Sequence, residues 1–186
     1  IVDLATRVML GEKLTDLGYG SGIHKESSLV TVKVPVFSTE KLPQVEISLG
    51  PEMRSTGEVL GVGKTLNEAM YKGFLAAKIS IPKPGSTILA TIRKHEQPRF
   101  LELAKRFSDL GCKFLTTEGT GKQLTQIGIN NSIIKKINEG VPNILDIIRS
   151  GLVDLVIDIP SRSNDVNSDG FKIRRNAIEI GINVIP

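Results

Sequence analysis

Short apolar runs and amphipathic stretches alternate along the second half of the chain. The run at 153–159 is almost continuously apolar, which is typical of a strand covered on both faces of its sheet. The pattern predicts strands at 87–92, around Phe114, at 153–159 and at 182–185, and helices from Pro98, Thr120, Asn143 and Gly170. This close alternation predicts an α/β fold with a doubly wound parallel sheet.

The first half of the chain has fewer periodic stretches. Apolar residues at helical spacing predict an N-terminal helix that ends at Gly11, and alternating valines predict a strand at 29–37. A second strand is predicted around 58–62, and the capping box of Thr65 and Glu68 opens a helix. These elements predict an α+β unit ahead of the doubly wound sheet.

A stiff connector separates the two halves. Residues 81–85 read IPKPG, and two prolines with a glycine favour an extended segment at a domain boundary. We therefore expect an N-terminal unit at 1–80, a linker at 81–85 and a C-terminal domain at 86–186. The chain opens on Ile1 without a methionine and stops at Pro186 after a strand-like run, from which we expect a piece of a longer polypeptide.

Helical spacing also predicts which side chains face the core. The predicted inward residues are Phe100, Leu103, Ala104, Phe107 and Leu110 in the helix from Pro98, and Ile173, Ala177 and Ile180 in the last helix. Arg174 and Arg175 are neighbours on that last helix. The spacing therefore predicts that at least one of these two arginines lies at the surface.

A polar turn follows the predicted strand around Phe114, where residues 113–122 read KFLTTEGTGK. Its glycines allow the backbone to approach a ligand closely. A helix that starts here directs unpaired N–H groups and the positive end of its dipole into the turn. Thr116, Thr117 and Thr120 add three hydroxyls. The combination predicts a phosphate or carboxylate site.

An ordinary strand-to-helix loop is the alternative interpretation of this turn. Thr117 or Thr120 would then cap the helix, and Glu118 counts against an anion because its own charge lies in the turn. The position favours a ligand site, since ligands bind beyond the carboxyl ends of parallel strands. Residues 92–96 and 158–163 follow strands at the same predicted edge.

Three charged residues are candidates near this edge. Lys135 and Lys136 stand in an otherwise apolar segment, and either one of them reaches the site as an anion partner or both are solvated at a turn. Asp158 ends a buried strand, where it either accepts hydrogen bonds from a sugar or an amine or caps the loop. No nucleophile–base pair is recognisable, so no catalytic residue is predicted.

Composition narrows the classes of protein. The net charge is +4, and no basic run alternates with aromatic residues, so nucleic acid is not a predicted partner. A single cysteine, Cys112, excludes an internal disulfide and predicts buried packing, and the two histidines, His24 and His95, predict no metal site. No apolar run approaches the roughly 18 residues of a membrane span, and no signal peptide is visible. We expect a cytoplasmic protein.

Three stretches together resemble the large subunit of glutamine-dependent carbamoyl phosphate synthetase. They are LGPEMRSTGEVLGVGKTLNEAMYKG (49–73), KFLTTEGTGKQL (113–124) and KKINEGVPNILDIIRSGLVDLVI (135–157), and DGFKIRRNAIEIGI (169–182) agrees with them. The resemblance covers nearly the whole chain. It implies that residues 1–80 are the tail of the second ATP-grasp unit, which phosphorylates carbamate. It also implies that the C-terminal domain is allosteric and similar in fold to methylglyoxal synthase.

The resemblance implies a larger enzyme of which this chain is one part. That ligase makes carbamoyl phosphate, for pyrimidine and arginine synthesis, from bicarbonate, glutamine-derived ammonia and two ATP, with magnesium or manganese. The ammonia comes from a separate glutamine amidotransferase small subunit. The family's metal-binding motif would lie before Ile1, so we expect this piece to hold no cofactor and to catalyse nothing alone.

The allosteric domain of this family binds regulatory nucleotides such as UMP or IMP through the threonine turn. Carried over by position, Thr117 and Thr120 match phosphate-binding threonines, and Lys136 matches a phosphate-side lysine. Asp158 and Pro160 stand where a common bacterial pattern has Asn and Thr, which weakens the case for UMP and leaves altered or lost effector binding open. The candidate effector-binding residues are Thr117, Gly119, Thr120, Lys136, Asp158 and Ser161.

Two other functions stay open on the sequence, a phosphate lyase and a structural module. A methylglyoxal-synthase-like phosphate lyase shares the fold and the threonine turn, but its catalytic aspartate lies in a Gly-Gly-Asp-Gln-Gln stretch where this chain reads NEGVPNI (138–144). The cyclohydrolase of purine synthesis also shares the fold, but its Lys-Thr-Leu-His-Pro motif is missing. The second open function is a structural module that mediates homo-oligomer formation between large subunits and binds no effector.

Overall fold

The structure, a computed structural model, describes residues 1–20, 22–23, 25–38, 53, 55–159 and 167–186. His24 and the candidates Pro160 and Ser161 lie outside the described residues. The helices are α1 (Val2–Met9), α2 (Leu66–Ala76), α3 (Gln97–Asp109), α4 (Glu118–Gln126), α5 (Ile144–Arg149) and α6 (Asp169–Glu179). The strands are β1 (Val30–Val36), β2 (Gly57–Gly63), β3 (Thr87–Ile92), β4 (Lys113–Thr116), β5 (Asn131–Ile133), β6 (Leu155–Ile159) and β7 (Asn183–Ile185).

Five parallel strands form the main sheet in the order β5-β4-β3-β6-β7. From β3 the chain adds β4 and β5 on one side and then returns to the other side of β3 for β6 and β7. Ala90 of β3 is paired with Thr116 of β4 and with Ile157 of β6. The order therefore reverses at β3, and the predicted doubly wound α/β sheet is confirmed.

Helices cover both faces of this sheet. Ile88 and Leu89 are adjacent in β3 and fully buried, but they belong to separate clusters because successive side chains of a strand point to opposite faces. One cluster includes Phe100 of α3 and Leu124 of α4, and the other includes Ile148 of α5 together with residues of α6. Each face of the sheet thus has its own apolar core.

The N-terminal elements form a second, smaller sheet. Strands β1 and β2 pair antiparallel, and α2 packs so closely on them that a Cβ at Gly61 would lie 1.9 Å from the carbonyl oxygen of Ala69. The capping box is confirmed, since Thr65 accepts a hydrogen bond from the Glu68 N–H and the Glu68 carboxylate accepts one from the Lys64 N–H. The division of the chain at 81–85 into two domains stays a prediction.

Three predicted core residues are exposed instead. Leu103 is 47 % exposed because α3 buries only a narrow stripe, centred on Phe100 and Ala104, against the sheet. Leu110 and Ile180, which are 55 % and 48 % exposed, occupy the C-cap positions just after the last residues of α3 and α6, where the helical periodicity ends. Within the described residues, none of the helices combines the length and the apolar composition that crossing a bilayer requires.

Candidate functional site

A cavity of about 500 Å³ opens at the carboxyl edge of the main sheet. Residues that follow β3, β4 and β6 line it, together with the beginnings of α4, α5 and α6. It lies where the strand order reverses at β3, the position at which open α/β sheets bind ligands. We call it the crevice. Its size falls within the range of about 300–1,000 Å³ typical of small-molecule sites.

The threonine turn forms one wall of the crevice, with Thr117, Gly119 and Thr120 among the lining residues. Helix α4 begins at Glu118, two residues earlier than the sequence predicted, and Thr117 occupies the N-cap position with an extended backbone. Its hydroxyl makes no capping hydrogen bond. Because a helix has no internal acceptor for the N–H groups of its first turn, the start of α4 retains donors that a ligand can use.

The interpretation of this turn as an ordinary capped loop is therefore wrong in its details. Thr117 does not cap α4 through its side chain, and Thr120 lies inside the helix. The Thr120 hydroxyl accepts a hydrogen bond from the Ile92 N–H at 3.2 Å, and its residue is only 1 % exposed. Thr120 therefore fastens α4 to the end of β3.

The Thr116 hydroxyl is also engaged within the fold. It donates to the Asn131 side-chain oxygen at 3.0 Å, and the Asn131 amide group donates in turn to the Gly121 carbonyl at 3.2 Å. Thr116 is fully buried. Of the three hydroxyls that the sequence offered to a ligand, that of Thr117 is the one without a hydrogen bond to the described part of the chain.

Glu118 does not occupy the crevice. Its carboxylate forms an ion pair with Lys122 at 2.7 Å, and its side chain is 68 % exposed. The hydrogen bond from Lys122 lowers the pKa of the Glu118 carboxyl, with a smaller contribution from the charge of Lys136. The negative charge is therefore held outside the cavity lining, which removes the main objection to an anion in this turn.

Lysine side chains supply positive charge at the mouth of the crevice. Lys136 lines the cavity, and its ammonium group lies 3.8 Å from the Glu139 carboxylate, a loose contact between two exposed side chains. Lys135 is engaged elsewhere, because its ammonium group donates to the Val141 carbonyl at 3.2 Å. Of the two neighbouring lysines, Lys136 is the one that the structure brings to the crevice.

Two further cations, Arg93 and Lys94, line the crevice but were not singled out in the sequence. They follow directly after β3, and that position at the carboxyl edge was the signal that could have identified them. Arg93 donates to the Glu96 carboxylate at 2.9 Å, and this hydrogen bond lowers the pKa of the Glu96 carboxyl. Lys94 lies on the turn that connects β3 to α3.

Asp158 lies at the floor of the crevice and is 1 % exposed. It forms a buried ion pair with Arg174, whose Nη1 is 2.6 Å from Oδ2, and its Oδ1 accepts a hydrogen bond from the Thr91 hydroxyl at 3.1 Å.

The prediction that at least one of the neighbouring arginines of α6 lies at the surface is wrong. Arg174 is 1 % and Arg175 is 8 % exposed. Helical spacing alone did not predict the burial of both arginines, because it assigns charged residues to the solvent-facing side of a helix.

Helix α6 also begins at the crevice, but its start differs from that of α4. The Ser168 hydroxyl accepts a hydrogen bond from the Phe171 N–H at 3.2 Å, so the first turn of α6 is capped. Asp169 in that turn lines the cavity and brings a negative charge. The first turn of α6 therefore differs from that of α4, which lacks a side-chain cap and has the cation Lys136 in the same cavity.

Chemically, the crevice is suited to binding. Its described lining contains hydroxyl, ammonium, guanidinium and carboxylate groups but neither histidine nor cysteine. Cys112 lies elsewhere in the apolar cluster under α3, as predicted, and burial raises the pKa of its thiol. Over the described residues, no group of three or more His, Cys, Asp and Glu side chains is arranged to hold a metal ion.

Comparison with known proteins agrees with this fold. Residues 99–185 match the family model of the MGS-like domain. Over its whole length, the chain is 57 % identical to the carbamoyl phosphate synthase large chain of Clostridium perfringens (strain 13 / Type A). It is 58 % identical to that of Clostridium botulinum (strain Langeland / NCTC 10281 / Type F) and 56 % to that of Clostridium beijerinckii.

Each of these alignments covers 185 residues, 100 % of this chain but 17 % of the relative. The chain thus spans about a sixth of the length of the curated relatives that it matches. The expected resemblance and the expected methylglyoxal-synthase-like fold are both confirmed. Residues 99–185 therefore match the MGS-like domain family model, within a chain that is similar over its whole length to one part of the carbamoyl phosphate synthase large chain.

Proposed function

We propose that this chain is the regulatory part of a carbamoyl phosphate synthase large chain, and that its crevice binds the phosphate group of a regulatory nucleotide such as UMP or IMP. The observation that carries the proposal is the start of α4. Thr117 leaves the first turn uncapped, Gly119 keeps the approach open, and Lys136 stands beside them in the same cavity.

The chemistry of this wall suits a phosphate group. The N–H groups of the first turn and the Thr117 hydroxyl are hydrogen-bond donors, and a helix N-terminus favours negative charge. Lys136 adds a full positive charge that an anionic ligand can attract away from its loose contact with Glu139. Thr120 contributes by fastening α4 to β3, and Ser161 and Asp158 stay candidates for contacts with the remainder of the nucleotide.

The cavity is large enough for more than inorganic phosphate. A volume of about 500 Å³ can accommodate a sugar and a base besides the phosphate group. The lining beyond Lys136 includes the apolar side chains of Ile137, Ile144 and Ile173, which can pack against a flat ring. A nucleoside monophosphate combines the anion and the apolar surface that these walls favour.

The wider proposal concerns the enzyme to which this chain would belong. It would be an ATP-dependent ligase that makes carbamoyl phosphate from bicarbonate, glutamine-derived ammonia and two ATP, with magnesium or manganese. Residues 1–80 would form the tail of an ATP-grasp unit, and a glutamine amidotransferase small subunit would be the partner in the cytoplasm. The support is the identity of more than half of the residues to carbamoyl phosphate synthase large chains.

Calorimetric titration of the chain with UMP, IMP and inorganic phosphate tests the regulatory function. We expect one nucleotide to bind, and Thr117→Ala to weaken that binding by roughly ten- to a hundredfold, the effect of one lost hydrogen bond to a charged group. Thr31→Ala is the matched control, because Thr31 is an exposed threonine of β1 that does not line the crevice. Its affinity should equal that of the wild type.

The other outcomes of the titration distinguish the alternatives. Binding of inorganic phosphate without a gain from the nucleoside would identify a general anion site and contradict a nucleotide effector. Absence of binding by all three compounds would contradict the regulatory function and favour the structural module. In that case, sedimentation of the chain at increasing concentration would show whether it associates with itself.

A further inference from the structure

The floor of the crevice holds a charge arrangement that the proposed effector site does not by itself explain. The Asp158 carboxylate lies among the lining residues of the same cavity as the proposed phosphate site at the start of α4. Two negative groups in one cavity repel each other, and this repulsion is strong where water is excluded. Asp158 is only 1 % exposed, so bulk solvent does little to screen its charge.

Helix α6 brings a compensating charge behind this carboxylate. Arg174 is as deeply buried as Asp158, and its Nη1 approaches Oδ2 to 2.6 Å. Ile173 and Ala177 anchor α6 in the apolar core beside it, which fixes the arginine in place. The Thr91 hydroxyl donates to the other carboxylate oxygen at 3.1 Å and holds it toward β3.

Stability alone is a weak reason for such a pair. Burying two charges costs desolvation energy that their attraction only offsets in part, and apolar replacements of whole buried ion pairs are often neutral or stabilising. The pair adjoins the cavity, whereas the neighbouring buried arginine, Arg175, pairs with Glu179 at 2.8 Å and neither of those two residues lines the crevice. The location of the Asp158–Arg174 pair beside the cavity therefore indicates a role in the crevice.

We propose that Arg174 is a positioning residue that sets the electrostatic character of the crevice. Its guanidinium places a positive charge 2.6 Å from the Asp158 carboxylate and so lowers the repulsion that this carboxylate exerts on an anion bound at the start of α4. This inference rests on the proposed function, since it concerns how the same crevice tolerates a phosphate group. Arg174 itself touches Asp158 and not the ligand.

A double-mutant cycle on the two charged residues tests the inference in the full chain. The variants are Asp158→Asn, Arg174→Met and the double variant, each titrated at low ionic strength with UMP, IMP and inorganic phosphate. For every probe that the wild type binds, we expect Asp158→Asn to tighten binding about three- to tenfold and Arg174→Met to weaken it by a similar factor. The double variant loses one charge of each sign, so its net charge equals that of the wild type, and it should bind within about twofold of the wild type.

The same set of variants also separates an effect on binding from a loss of folding. Arg174→Met removes the buried cation beside the Asp158 carboxylate and is the variant that should destabilise the fold most. If it does not fold, the difference between Asp158→Asn and the double variant still measures the charge of Arg174 alone, because both carry a neutral amide in place of the Asp158 carboxylate. Arg175→Met and Glu179→Gln are matched controls on the same helix and should leave the affinity unchanged.

The results separate this inference from the proposed function. Equal affinities across the cycle, or weaker binding by Asp158→Asn, would overturn the role of Arg174 while nucleotide binding by the wild type would leave the regulatory function intact. A wild type that binds none of the three probes would overturn both. Tighter binding by Asp158→Asn is the result that a purely structural role of the pair does not produce, because breaking a structural pair would weaken binding.

Discussion

Three threonines within five residues serve different purposes around the start of α4. Thr116 is fastened to Asn131 beside β5, and Thr120 is fastened to Ile92 at the end of β3. Both hydroxyls lie inside the fold. Thr117, half-buried at the crevice, keeps its hydroxyl available to a ligand among the described residues. Substitution of the first two should therefore affect stability, and substitution of Thr117 should affect binding.

Lys136 and Lys122 form a matched pair for testing the charge at the crevice. Both are exposed lysines with a glutamate partner, but only Lys136 lines the cavity. We predict that Lys136→Ala weakens binding of a nucleoside monophosphate about three- to tenfold, whereas Lys122→Ala leaves it within about twofold. Titration calorimetry of the two variants measures the difference, and equal losses would place the phosphate away from Lys136.

Gly121 allows α4 to lie against β4 and β5. A Cβ at this position would lie 2.6 Å from the Thr116 hydroxyl and 2.7 Å from the Asn131 side-chain oxygen. We predict that Gly121→Ala destabilises the fold by about 1–3 kcal/mol, the usual effect of overpacking. Urea unfolding measures it.

Gly119→Ala is the control within the same helix. The nearest atom to its added Cβ would be 3.9 Å away, and alanine favours a helix over glycine. The stability of this variant should be equal to or above that of the wild type. A loss in Gly119→Ala as large as that in Gly121→Ala would show that the contacts with Thr116 and Asn131 do not explain the effect.

At the scale of elements, the helices differ in how their first turns are satisfied. Thr65 and Glu68 cap α2, Asn143 and Asp146 form a capping box on α5, and Ser168 caps α6. The N-cap of α4 lacks such a side-chain hydrogen bond, as do those of α1 and α3. Since capping stabilises a helix by about 1 kcal/mol, an uncapped helix start inside a cavity is consistent with a site where a ligand takes the place of the cap.

The capping box of α2 predicts a dependence of stability on acid. The hydrogen bond from Lys72 and that from the Lys64 N–H lower the pKa of the Glu68 carboxyl below its usual value of 4.5. A carboxyl whose folded-state pKa is lowered contributes stability that is present above its unfolded pKa and is lost as the pH falls through the folded value. The stability of the unit of β1, β2 and α2 should therefore fall below about pH 4.5.

Comparison of melting temperatures between pH 7 and pH 3 measures this loss. Glu68→Gln should be less stable than the wild type at pH 7 but should lose less on acidification. Glu102→Gln, at an exposed position of α3, is the control and should follow the wild type. An acid response of Glu68→Gln identical to that of the wild type would contradict the role of this carboxylate.

At the scale of the whole molecule, the sequence predicted the alternation of elements because period and turn residues are local properties. It located the crevice because ligand sites in such sheets lie at the carboxyl edge. It did not predict the pairing of Arg174 with Asp158, because that contact joins α6 to β6 and is fixed only by tertiary packing. The strand order likewise depends on long-range contacts that the periodicity does not encode.

The predicted boundary at 81–85 can be tested by folding. All members of the two apolar clusters of the main sheet lie between Ile88 and Val184. We predict that a fragment of residues 84–186 unfolds cooperatively in urea and keeps the nucleotide affinity of the full chain. A fragment without a cooperative transition would show that the N-terminal unit is required, for instance through the hydrogen bond from Asn183 to the Ser80 carbonyl.

Binding of a phosphate group at the start of α4 is measured most directly by the backbone N–H signals of that turn. In a nuclear magnetic resonance titration of the full chain with UMP, IMP or inorganic phosphate, against chloride at equal ionic strength, we predict the largest shifts at Gly119 and Thr120. Glycines outside the crevice, such as Gly57, should not move. Shifts concentrated at α6, or the absence of shifts at Gly119 while a nucleotide binds, would contradict the account.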